Sequence, residues 1–141
     1  MKYFFKKIND ALITGTYKNT VLDAVNSAFK DAETDEKFFS KVNNNMLCYK
    51  SAVLFIINLW SKEENLNKTG FLVLGRQLPD PTNLVCHCWA ELDGKIYETN
   101  YAPSEHDPVE KLEIPFNLSY QELKTKILNW FKNQNYDNKK I

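Results

Sequence analysis

Two alternating segments joined by Asp93-Gly94 constrain this chain more than any other feature of its sequence. Asp-Gly is a preferred dipeptide of the two-residue type I′ turn, so residues 84–92 and 95–101 are predicted to form an antiparallel hairpin. A two-residue loop fixes the register, and directly paired residues share one face of the sheet. The register therefore places four side chains together on one face: His87, Trp89, Glu98 and Asn100.

His87 is the candidate base of a catalytic site on this face. Asn100 is directly opposite it in the predicted register and Glu98 is diagonal to it, so either could orient the imidazole ring. Cys48 opens a predicted buried helix that continues through Trp60. A helix N-terminus and a neighbouring imidazole both favour a thiolate. If the helix packs against the same face, these residues form a site for thiol catalysis.

These segments resemble the papain-like cysteine enzymes, and within them the transglutaminase-like core. The resemblance covers about residues 46–101 and is carried by the helix that begins at Cys48, the His-x-Trp-x-Glu pattern of residues 87–91 and the Asp-Gly hairpin. It implies Cys48 as nucleophile, His87 as general base and Asn100 in the position of the family's Asp. Asn carries no charge to stabilise an imidazolium, so Glu98 is the alternative third member.

The resemblance implies a thiol-dependent hydrolase that acts on an amide bond of a protein or peptide. The reaction would pass through a Cys48 acyl-enzyme, as in a cysteine peptidase, amidase or deamidase, with no cofactor. Trp89 is the candidate substrate contact, and a place in the wall or core of the domain is its alternative. Two other functions stay open: a transglutaminase or acyltransferase that uses the same triad, and a catalytically inactive papain-like module that binds a protein partner.

The sequence predicts no metal site around Cys86-His87-Cys88. Alternate residues of a strand point to opposite faces, so these side chains cannot converge on one zinc ion without a bulge. Cys86 and Cys88, with Ala90, are predicted instead to form a face of small residues against which a helix packs. His106 lies among polar and acidic residues of segment 104–107, and it is interpreted as a solvated side chain without a partner.

The chain as a whole is predicted to form one α+β domain with a papain-like or transglutaminase-like core. Its 141 residues have room for one domain, and the hydrophobic period changes from helical to strand-like along the chain. The domain is expected to span residues 1–134, followed by a flexible C-terminal tail at 135–141. The predicted elements are helices near 3–12, 21–29, 35–42 and 48–60, strands at 71–74, 84–92 and 95–101, and a helix at 119–134 opened by the Ser119/Glu122 capping box.

Composition excludes several other classes of function. The 18 basic and 18 acidic side chains cancel, and Arg76 is the single arginine, so nucleic acid is not an expected partner. The longest apolar run, residues 52–57, is too short to span a membrane. Lys6 and Lys7 interrupt the N-terminus before a secretory apolar stretch develops, so a cytoplasmic location with unpaired thiols is expected.

Overall fold

The computed structural model describes residues 17–43, 45–78, 87–99, 105–134 and 136, which form an α+β fold of three α-helices and one antiparallel sheet. In chain order the elements are α1 (Tyr17–Thr34), a 3₁₀ turn (Phe38–Lys41), α2 (Cys48–Ser61), a 3₁₀ turn (Glu63–Asn65), β1 (Thr69–Leu78), β2 (His87–Leu92), β3 (Lys95–Tyr97), β4 (Glu105–Pro115) and α3 (Tyr120–Lys132). The strand order is β3-β2-β1-β4. None of the helices in the described ranges has the length and apolar character needed to cross a membrane. The helix predicted near residues 3–12 lies outside these ranges.

The hairpin predicted from Asp93-Gly94 is confirmed. Both residues have positive φ, 52° and 76°, as a type I′ turn requires. The ladder has the predicted register and pairs Leu92 with Lys95, Glu91 with Ile96, and Ala90 with Tyr97. Because β3 ends at Tyr97, Glu98 follows the strand directly. Asn100 lies outside the described residues.

α2 is buried along most of its length against the sheet and α1. Its apolar side chains pack in one core with alternate residues of β2, including Cys88 and Ala90. The face of small residues predicted for these two positions is therefore confirmed, while Cys86 lies outside the described part of the chain. Trp89, between them, points to the opposite face. α2 thus covers the face opposite Trp89, and not the shared face of the hairpin as expected.

α1 and α3 complete the core beyond α2. The buried positions of α1 recur every three or four residues, which confirms the predicted helix: Val21, Ala24, Val25, Ala28. α3 begins at the predicted capping box, in which the Ser119 side chain accepts from the Glu122 N–H and the Glu122 side chain reciprocates. Segment 35–42 forms only a 3₁₀ turn, because it is short and Lys37 at its N-cap supplies no capping side chain.

Tyr136 is the described residue of the segment predicted as a tail. Its side chain is buried, and its hydroxyl donates to the backbone carbonyl of Phe131 at 3.0 Å. The ring also packs edge-on against Tyr17, with the ring centroids 5.6 Å apart. Tyr136 therefore joins the core between α1 and α3.

β4 is a strand that the sequence analysis does not predict. Leu112 and Ile114 alternate toward the core, but the preceding residues are mostly charged and include Pro108. Proline cannot donate a ladder hydrogen bond and argues against a strand unless it lies at an edge or a bulge. Both conditions hold here, because β4 is an edge strand and Pro108 adjoins a register shift.

The register shift in β4 is a bulge at Val109. On β1, Leu74 pairs with Glu110 whereas the next residue, Gly75, pairs with Pro108. Val109 is therefore the extra residue, and its side chain is exposed. Beyond the bulge the alternation of β4 is reversed, which brings His106 to the face that carries His87.

Candidate active site

Cys48 is the first residue of α2, as predicted, and its side chain is buried at the helix N-terminus. Leu47 occupies the N-cap position and makes no side-chain hydrogen bond to the first turn. The N–H groups of that turn carry the positive end of the helix dipole, which favours negative charge beside them. The sulfur therefore lies where a developing anion is stabilised by the backbone.

His87 is the first residue of β2 and meets Cys48 where the two elements begin. The ring makes a side-chain hydrogen bond with Cys48. Its Nε2 lies 2.6 Å from Oε2 of Glu98, a hydrogen bond in which the ring N–H donates and the carboxylate accepts. With Nε2 taken by Glu98, Nδ1 is the ring nitrogen left for Cys48. The structure thus brings together Cys48 and His87, although α2 covers the other face of the sheet.

Burial and two partners set the charge of His87 in opposite directions. Burial of the ring, the largest effect, lowers its pKa, whereas the hydrogen bonds and charges of Cys48 and Glu98 raise it. The partners prevail and raise the pKa of His87 from 6.5 to about 9. His87 is therefore a positively charged imidazolium at neutral pH.

Glu98 is the described carboxylate that hydrogen-bonds to the His87 ring. It was the diagonal neighbour of His87 in the predicted register, and its carboxylate now accepts from the ring at 2.6 Å. The side chain is 13% exposed, so the contact with His87 is largely shielded from water. Asn100, the other candidate, lies outside the described residues.

His106 is a site residue that the sequence analysis missed. Its Nε2 lies 2.7 Å from Oε1 of Glu98, and only 14% of its side chain is exposed, so its interpretation as a solvated side chain without a partner is wrong. The sequence signal was obscured by the bulge at Val109, because unbroken alternation back from Ile114 places His106 on the core face. A pattern search that allowed a bulge beside Pro108 would have found it.

Trp89 forms the floor between the two histidines. Its side chain is fully buried, its ring centroid lies 4.7 Å from that of His106 and 5.5 Å from that of His87, and its Nε1 donates to Glu91. A Cβ placed on Gly75 would come within 2.7 Å of the Trp89 ring. The indole therefore occupies the space that a side chain at residue 75 would take, and its ring packs against both imidazoles.

His87, Glu98 and His106 together could supply ligands to a divalent cation, since their donor atoms all lie within 4.8 Å of one another. Their geometry is that of hydrogen bonds, however, with N···O distances of 2.6 and 2.7 Å. Ligand atoms bound to one tetrahedral zinc ion at ~2.0–2.1 Å are separated from each other by roughly 3.3 Å. The arrangement is therefore a carboxylate shared by two imidazoles, and a cation would have to displace both hydrogen bonds.

Cys88 provides an internal contrast to Cys48. It lies next to His87 in sequence but is fully buried in the core on the opposite face, where burial raises the pKa of its thiol. It therefore has the environment of an inert structural cysteine.

The resemblance to the transglutaminase-like core rests on the Cys48 helix, residues 87–91 and the hairpin. α2 begins at Cys48 and the hairpin has the predicted register within an antiparallel sheet, but α2 packs on the face opposite Trp89 and not on the face expected. Comparison of the chain with protein-family models, with curated proteins and with solved structures gives no match. The family therefore stays a prediction, and what the site can do is inferred from its own geometry.

Proposed function

We propose that this protein is a thiol-dependent hydrolase that cleaves an amide bond of a protein or peptide through an acyl-enzyme on Cys48. The proposal depends on one observation, the chain of contacts from Cys48 to His87 to Glu98. A sulfur nucleophile, an imidazole that exchanges its proton and a group that fixes the imidazole are the parts that Cys-His catalysis needs. All three are shielded from water, which strengthens the interactions among them.

In the first half of the reaction the Cys48 sulfur attacks the amide carbonyl carbon, and the C=O electron pair moves to oxygen. The C–N bond then breaks, His87 gives its proton to the departing amine, and a thioester remains on Cys48. In the second half His87 takes a proton from water, the hydroxide adds to the thioester carbon, and the C–S bond breaks. One water yields one amine and one carboxylic acid, and the Cys48–His87 pair is restored.

The N-terminus of α2 stabilises the oxyanion in this reaction. We assign the backbone N–H of Cys48 as the donor, because it lies in the first turn of α2, whose N–H groups point out of the helix N-terminus. The dipole of α2 adds positive potential at the same point. The helix thus supports both the attacking sulfur and the oxygen that becomes negative.

Glu98 is our assigned third member. Its carboxylate accepts from Nε2 of His87, so Nδ1 is the ring nitrogen left for Cys48. Unlike an asparagine, it also supplies the negative charge that stabilises an imidazolium. If an amine instead of water attacks the thioester, the same residues perform acyl transfer.

A catalytically inactive binding module is the second candidate. It is favoured by the low exposure of the pair, 8% for Cys48 and 6% for His87, which limits access of a substrate carbonyl to the sulfur. A binding module has no need of a reactive thiol, so thiol reactivity separates the two functions.

The test is the alkylation rate of each cysteine with iodoacetamide, followed by peptide mass spectrometry between about pH 5 and pH 9. Trypsin separates Cys48 in peptide 42–50 from the thiols in peptide 77–95. We expect Cys48 to react quickly at about pH 6, and His87→Ala to slow this reaction by about 10²-fold, the usual size of a lost acid–base partner. Glu98→Gln should slow it by about tenfold, the size of one charge-assisted hydrogen bond.

Glu91→Gln is the matched control. Glu91 lies on the same sheet face and hydrogen-bonds to Trp89 and Lys111, but it makes no such contact with His87. The proposal predicts a wild-type alkylation rate for this variant. Slow alkylation of wild-type Cys48, with the pH profile of an ordinary thiol and no effect of His87→Ala, would exclude the hydrolase and leave the binding module.

A further inference from the structure

His106 has no part in the reaction proposed above, yet its side chain is about as shielded from water as that of Glu98, to which it hydrogen-bonds. It comes from β4, at the opposite edge of the sheet from β3, and its ring reaches across to Glu98. Its side chain is largely buried, and its ring packs edge-on against Trp89 at an interplanar angle of 72°. A solvated surface histidine would show neither feature.

Glu98 needs such a second contact. It follows the short strand β3 without belonging to it, so the β2–β3 ladder does not fix its backbone. A glutamate side chain has several rotatable bonds. A single hydrogen bond to His87 would leave the carboxylate able to rotate into other conformations. In the structure Oε1 accepts from His106 while Oε2 accepts from His87, so both oxygens are held.

We propose that His106 is a positioning residue that holds the Glu98 carboxylate on His87. The inference rests on the proposed function and extends the site to the series Cys48, His87, Glu98, His106. The Nε2–H of His106 donates to Oε1 and selects the rotamer in which Oε2 meets His87. His106 acts through Glu98 and is not itself a catalytic residue.

Two replacements of His106 separate its hydrogen bond from its packing. His106→Gln keeps a donor, because the amide nitrogen of glutamine lies about where Nε2 of histidine lies. His106→Leu keeps a side chain of similar bulk against Trp89 but removes the donor. The measured quantity is the alkylation rate of Cys48 at about pH 6, with thermal unfolding recorded for each variant.

We expect His106→Leu to slow Cys48 alkylation by about tenfold, the size of one charge-assisted hydrogen bond, and His106→Gln to stay within about threefold of the wild type. Equal loss in both variants, or in neither, would overturn the positioning role. Should His106→Leu fail to fold, His106→Asn serves instead, since its donor is one methylene too short to reach Glu98.

A double-mutant cycle shows whether His106 acts through Glu98. In the Glu98→Gln background we expect His106→Leu to have no further effect on the alkylation rate. An undiminished tenfold effect in that background would contradict the inference. The failure of the hydrolase proposal is distinguishable, because it appears as a wild-type rate that His87→Ala does not change.

Discussion

At the scale of single residues, the site depends on how one buried imidazole keeps its charge. Burial alone opposes protonation of His87, and Cys48 and Glu98 together reverse that effect. The groups that bear on the ring come from three directions: Cys48 from α2, Glu98 from the end of β3, and His106 from β4 through Glu98. The charge of His87 therefore depends on contacts among several elements, and each can be removed separately.

NMR titration of the histidine ring C–H signals measures these opposing effects. We expect His87 to titrate at about 9 in the wild type, and at a lower pH in Cys48→Ala and in Glu98→Gln, because each variant removes a group that raises the pKa. With both partners removed, burial is the remaining effect, so the pKa should fall below 6.5.

The signals in this titration are readily assigned, because the chain has two histidines and His106→Gln removes one of them. Glu91→Gln, which changes a carboxylate on the same face, should leave the titration of His87 unchanged. A wild-type titration near 6.5, insensitive to either partner, would show that Cys48 and Glu98 do not hold the imidazolium.

At the scale of elements, the bulge in β4 decides which side chains reach the site. Leu112 and Ile114 face the core, and strict alternation from them would place His106 on the core face as well. The extra residue Val109 reverses the alternation, so His106 comes to the face of His87. One inserted residue thus separates a site histidine from a core position.

Two single-residue deletions in β4 should differ in their effect on Cys48 alkylation. Deleting Val109 removes the bulged residue but leaves Gly75 opposite Pro108 and Gln77 opposite His106, so His106 should still reach Glu98. Deleting Asp107 shortens the strand equally but moves His106 by one position to the other face. We expect Cys48 alkylation within about threefold of the wild type for the first deletion and slowed about tenfold for the second.

The two deletion variants have the same length, so each serves as the length control for the other. Circular dichroism verifies that both fold. The prediction also depends on the positioning role of His106, which the substitutions at that residue test separately. If those substitutions support the role but the deletion of Val109 slows alkylation as much as that of Asp107, Val109 would not be the extra residue that the bulge accommodates.

The sequence predicts the parts of this fold that depend on local patterns. Asp93-Gly94 fixed the hairpin and its register, Ser119 with Glu122 fixed the start of α3, and the apolar run after Cys48 fixed α2. Glu98 could be placed beside His87 for the same reason. His106 could not, because its position depends on a bulge and on the pairing of β4 with a distant strand.

At the scale of the whole molecule, α2 joins the site to the core. Its first residue, Cys48, contacts His87, while the rest of the helix is buried between α1 and the sheet. Cys88 lies under that helix, fully buried and paired with Leu74 in the middle of the sheet. The two thiols therefore belong to one packed unit, with Cys88 inside the core and Cys48 at the end of α2 beside His87.

This arrangement predicts that alkylation of Cys88 reports global unfolding, while alkylation of Cys48 reports the native site. The experiment uses Cys86→Ser, so that peptide 77–95 carries Cys88 as its single thiol.

In increasing urea we expect the Cys88 alkylation rate to rise in proportion to the unfolded fraction measured by circular dichroism. Without urea it should be at least about 10³-fold slower than in the unfolded chain, because domains of this kind are stable by several kcal/mol. The Cys48 rate should instead be nearly constant until the unfolding transition. Cys88 alkylation that is fast without urea and independent of its concentration would mean that α2 separates from the sheet locally, and the site would then not be held by the core.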